Sequence, residues 1–132
     1  MKEGTLLKAI VTALGTTTTL IFGGLDLIFK ILVLFIILDY ATGFMKGFIK
    51  KELSSSIGWI GLMRKTGIFI AVIVANQMDR FAGTQIVRTA VITFFIANEG
   101  ISLTENLSII GVPIPKIMLK TLKAWKDSSE VE

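Results

Sequence analysis

Asp39 is the residue with the most chemistry to offer. It sits in ILVLFIILDYATGFM, the most apolar stretch of the chain, between Lys30 and Lys46. A carboxylate there can relay a proton, pair with a cation or join two helices. Left bare in a bilayer it costs about 2.5–3.5 kcal/mol on insertion scales. At helical spacing its face continues through Gly43, Lys46 and Gly47. Gly43 and Gly47 form a GxxxG pair, a spacing that lets two helix backbones approach closely. A second polar stripe repeats at helical spacing in Asn98, Ser102, Glu105 and Asn106, with Glu99 beside it. Two readings of these faces stand. One is a self-association or pore-lining surface. The other pairs Asp39 with a basic side chain inside one copy and lets the second helix leave the membrane near Asn98.

Catalytic chemistry has few materials here. The chain has no histidine and no cysteine, so the commonest general base and the thiolate nucleophile are both missing. Asp39, Glu99 and Glu105 lack a partner nucleophile. GWIG and GVPIP have neither the spacing nor the lysine of a phosphate-binding loop. The residues argue against an enzyme and call for no metal and no cofactor.

The elements that position these residues follow from composition. Of 132 residues, 52% are hydrophobic and 18% charged, and the mean hydropathy is +0.73. That is more apolar material than one small soluble core can bury. The reading is an all-α integral membrane protein with about four transmembrane helices. Each crossing needs about 20 mostly apolar residues. The candidates are Leu6 to Phe22, Leu27 to Ile49, Thr66 to Gln77 (short, extended by Leu62 and Met63) and Gln85 to Leu103. The first carries four threonines, tolerable because each hydroxyl can bond a carbonyl one turn back. It reads as a retained span rather than a cleaved signal, and it ends in a turn, FGGLD. A three-span arrangement, with this segment on the surface, stays open. Asn76, Gln77, Asp79 and Arg80 read as a cap at one end of the third span. There is no repeat of the inverted-topology kind.

Charge placement favours four spans. With the N-terminus inside, eleven lysines and arginines fall on the inner side and three (Lys30, Arg80, Arg88) on the outer, as the positive-inside rule requires. Both termini are then cytoplasmic, and the net charge of +4 serves topology rather than nucleic-acid binding. The segment KKELSSSIGWIGLMRK reads as an interfacial loop, with Gly58 and Gly61 opposing a helix and Trp59 at headgroup level. Pro113 and Pro115 stop the fourth helix. Residues 1–115 thus form a transmembrane helical domain and residues 116–132 a basic amphipathic tail. In the tail Met118, Leu122 and Trp125 share one face, and Lys116, Lys120 and Lys123 another. Such a helix suits an anionic membrane surface; a plain solvated tail is the alternative. The closing DSSEVE is expected to be disordered.

With these residues in view, the chain resembles the toxin-secretion and phage-lysis holins of Gram-positive bacteria and their phages. The resemblance covers nearly the whole chain. It rests on FGGLD (22–26), LDYATG (38–43), LSSSIGWIGLMRK (53–65), ANQMDR (75–80) and IANEGISLTENLSIIGVPIP (96–115). Its motif residues fall on Asp39, Tyr40, Gly43, Gly58, Gly61, Lys65, Asn98, Glu99, Glu105, Asn106, Gly111, Pro113 and Pro115, which adds Tyr40 to the candidates. The resemblance implies a homo-oligomer without enzymatic activity or cofactor. It would assemble lesions in the bacterial cytoplasmic membrane, through which an endolysin or a large toxin leaves. A small ion or solute transporter, with Asp39 as its intramembrane carboxylate, is the competing expectation. A membrane scaffold or toxic peptide is a third.

Overall fold

The computed structural model describes residues 2–130. Five helices follow one another: α1 (Lys2–Phe22), α2 (Leu27–Ile49), α3 (Ser55–Ala82), α4 (Ile86–Ile110) and α5 (Lys116–Ser129). The described residues contain no strand. The first four helices are long and apolar enough to cross a membrane.

Local signals set most boundaries. Gly23 and Gly24 take positive φ (84° and 109°) and reverse the chain after α1, a backbone open to glycine at little cost. Asp26 caps α2 by accepting from Phe29 N. Ser54 caps α3 by accepting from Ile57 N at 3.2 Å. Gly83 (φ 71°) and Gly111 (φ 105°) close α3 and α4 in the left-handed region. Within α1, Thr18 and Thr19 donate to Leu14 O and Gly15 O, the back-bonding expected of the threonine run.

The third helix differs from the sequence reading. Residues 55–65 are not an interfacial loop but the first three turns of a 28-residue helix. Two glycines each cost a helix about 1 kcal/mol, yet here they make room. The ring of Tyr40 on α2 lies against the flat surface at Gly58 and Gly61, and its hydroxyl donates to Gly58 O. Packing therefore overrides propensity, and Trp59 stands exposed on a helix rather than in a loop. The tail corrects a second expectation: Asp127–Ser129 finish α5 and Glu130 caps it, while residues 131 and 132 lie outside the described residues.

α4 sits at the centre, against α2, α3 and α5. Asp26 meets Arg88 at one end and Asp39 meets Asn106 at the other, so α2 and α4 run parallel; α3 runs opposite to both. Phe29, Leu32 and Ile36 of α2 meet Ile68 and Val72 of α3 and Ile92 and Ile96 of α4 in a tight apolar core. In lipid such a core holds by close packing, since the surroundings are as apolar as the interior. Leu34, Ile37, Phe44, Ile70, Val74 and many others point outward, the surface a bilayer would cover. No residue of α1 is buried; only Thr18, Ile21 and Phe22, at its end, are half-buried.

Candidate functional site

The apolar core lies between two polar clusters. The first gathers around Lys65 of α3. Its ammonium donates to Asp39 Oδ2 of α2 and to Glu99 Oε2 of α4, both at 2.6 Å. Asn106 Nδ2 donates to Asp39 Oδ1 (3.0 Å) and Thr42 Oγ1 (3.1 Å). Asp39 and Glu99 are 8% and 5% exposed. Three helices are thus joined by side chains at a place where unpaired charge is expensive. Two carboxylates share one ammonium.

Sequence reasoning brought Asp39, Glu99 and Asn106 forward, and the structure puts all three in this cluster. The rest of the candidates spread around it. Gly43 faces the Asn106 amide, and Leu53 folds back over Gly47, so within one copy its own chain covers both glycines. Asn98 and Ser102 are half-buried on the flank, and Glu105 is exposed. Tyr40 packs on Gly58 and Gly61. Lys65, an inner-side charge and one of the motif residues of the resemblance, was missed as a pore or interface candidate. Its signal was available: two carboxylates inside spans require a cation, and Lys65 closes the Ser-Gly-Gly-Lys spacing of 54–65.

The second cluster is built on Arg88. Its guanidinium grips Asp26 through both carboxylate oxygens (2.8 and 2.9 Å) and donates to Phe22 O and Gly24 O. This pairing holds the Asp26 carboxyl below its ordinary 3.8, and the bond from Phe29 N lowers it further. Asn76 and Gln77 donate to Leu20 O and Ile21 O, and Arg80 donates to Leu20 O. Asp79 accepts from Thr84 Oγ1, Val87 N and Arg88 N. The polar group read as an interface cap therefore caps helices: the last carbonyls of α1 and the first amides of α4. Arg88, counted as an outer charge, is buried. Removing it and Lys65 from the loop count leaves the charge asymmetry intact.

α5 folds back along α4. Leu122 is buried against Gly100, and Lys126 Nζ lies over the Phe94 ring, 5.8 Å from its centre. Of the tail residues expected on one apolar face, Leu122 is buried while Met118 and Trp125 stay exposed. Lys116, Lys120 and Lys123 are exposed. No group of three or more metal-binding side chains occurs among the described residues.

Four helices long and apolar enough to cross a membrane, joined by two ion-pair clusters, define a multi-pass helical membrane bundle. Residues 16–127 match the bacteriophage holin family, and the chain belongs to that family. It is 45% identical to the "Probable holin" of Bacillus phage phi105 over 111 residues, 83% of this chain and 82% of that protein. A Clostridium perfringens protein is 41% identical over 128 residues, covering 96% and 95% of the two chains. A Listeria innocua protein is 39% identical over 114 residues, 86% and 81%. No solved structure matches the chain.

Proposed function

We propose that this chain acts as a holin: it accumulates in the bacterial cytoplasmic membrane, self-associates and opens lesions large enough for a folded endolysin or toxin. Both termini face the cytoplasm in this reading, as the lysine and arginine distribution favours. No step calls for catalysis or a cofactor.

The observation that carries it is the Lys65 cluster. Asp39, Lys65, Glu99 and Asn106 come from three helices and meet through side chains, apart from one bond from the Asn106 amide to the Asp39 carbonyl. While copies are dilute, these groups satisfy one another within one subunit. At high density the same groups can exchange partners with a neighbour without unwinding a helix. That exchange gives a concentration threshold. It also gives the candidates Asp39, Glu99 and Asn106 a second role, as contacts between copies or as groups turned to water.

The test is induction of the chain in bacteria carrying a folded cytoplasmic reporter, with membrane potential followed in the same culture. Depolarisation and reporter release arriving together, abruptly and after a lag, are the expected result. Depolarisation with the reporter retained would replace the large lesion by a small channel. Neither event, with the protein present in the membrane, would remove the holin activity and turn attention to transport.

A further inference from the structure

α5 lies at an unexpected depth. Contact of Leu122 with Gly100 and of Lys126 with Phe94 makes α5 antiparallel to the second half of α4. At 1.5 Å per residue, Phe94 stands about 24 Å from the Ile110 end of α4. The whole of α4 is about 37 Å long, against about 30 Å of hydrocarbon. Even with all the excess placed beyond the membrane at the Ile110 end, Lys126 lies about 17 Å inside. With α4 crossing the bilayer over its length, α5 is a re-entrant helix that reaches the middle of the layer.

Its composition does not suit lipid there. The stripe of α5 that faces α4 runs through the half-buried Leu119, the buried Leu122 and the half-buried Lys126. At 100° per residue one flank then carries Met118 and Trp125, and the opposite flank Lys116, Lys120, Lys123 and Asp127. Lys116, Lys120, Lys123 and Asp127 lie together on this exposed flank. Along α5 the depth falls at 1.5 Å per residue, to about 12 Å at Lys123, about 8 Å at Lys120 and about 2 Å at Lys116, so Lys116 reaches the headgroups while Lys123 and the free helix-end carbonyls near Lys126 favour protein or water around them. One copy of the chain leaves this flank uncovered.

We propose that docked α5 forms part of the wall of the hole, with its Lys120–Lys123 flank facing water enclosed by further copies of this chain and its Met118–Trp125 flank facing lipid or a neighbour. This rests on the hole-forming reading above and adds which surface is wetted. Gly100 is the seat that permits docking. A Cβ there would come within 2.7 Å of Leu122 Cδ2 and 3.1 Å of Phe35.

The absence of native cysteine makes spin labelling clean. The full chain is reconstituted in vesicles of phosphatidylethanolamine and phosphatidylglycerol that hold a folded fluorescent protein. Single labels go on Lys120→Cys, Lys123→Cys, Met118→Cys and Trp125→Cys, and a double label on Phe94→Cys with Lys126→Cys. In vesicles that have released their cargo, the 94–126 separation should be that of a docked helix. Labels at 120 and 123 should meet a water-soluble relaxant several-fold more often than labels at 118 and 125. Release with α5 far from α4, lying on the anionic headgroups, overturns the proposal and leaves the hole standing. Release with α5 docked and positions 120 and 123 no wetter than 125 overturns it as well. No release at any protein density ends both this proposal and the reading beneath it.

Discussion

Arg88 and Lys65 are both cations placed among helices, and each draws in carboxylates, yet their donors go to different kinds of partner. Arg88 bonds the backbone carbonyls of Phe22 and Gly24 and a carboxylate, Asp26, that itself caps α2. None of those bonds can be released without disturbing a helix end. Lys65 bonds only side chains, Asp39 and Glu99, on two neighbouring helices. Its bonds can be remade elsewhere while every helix stays intact. The first cluster is a fixture; the second is the place where one copy can become part of several.

Substitutions should pull these two roles apart, and the largest effect is expected at Arg88. Arg88→Met leaves two carbonyls and the half-exposed Asp26 carboxylate without their donor and should cost about 2–3 kcal/mol. Unfolding in mixed detergent micelles would measure it, with poor accumulation in membranes as the cellular counterpart. A normally stable variant would end the claim that this cluster is structural. Gly23→Ala comes next, at about 2 kcal/mol. It strains a backbone at φ 84° and drives a methyl into Arg88 and Asn76. The same unfolding assay applies. Asp39→Asn should behave differently. Lys65 keeps Glu99, so the stability change stays near 1 kcal/mol, while the onset of lysis at equal expression shifts. Unchanged timing would remove Asp39 from the mechanism. The smallest effect concerns pH. The folded Asp26 carboxyl lies below its ordinary 3.8, so its contribution is fully present above that value and fades as pH falls through the lowered one. Asp26 is about half-exposed, so the gain is modest. A stability titration from neutral to acid should lose its final drop in Asp26→Asn.

Much of this was legible in the sequence. The four long apolar helices, the FGGLD turn and the tail helix came from hydropathy, glycine and proline signals that act locally. Asp39, Glu99 and Asn106 stood out because polar groups in apolar helices need partners. What was not legible depended on a partner far along the chain. Gly58 and Gly61 read as helix breakers until Tyr40, on another helix, is seen to use the space. Lys65 read as a loop charge and Arg88 as an outer charge at the start of the fourth span, because nothing adjacent in sequence shows that each faces a carboxylate far along the chain. The α5 apolar face was drawn through Met118, Leu122 and Trp125, but packing on Gly100 turns the helix so that only Leu122 of the three is covered.

α1 touches the bundle only near Phe22, beside two glycines, and is about 30 Å long. Asn76, Gln77, Arg80 and Arg88 hold the carbonyls of its last turn, so that end is fixed and the helix projects from it as a lever. A bend of about 10° just before that turn would sweep its far end through about 4 Å, with the core of α2, α3 and α4 left in register. Tilt is how a span adjusts to a thinner or thicker bilayer, so α1 can follow local membrane thickness while the rest of the molecule stays rigid.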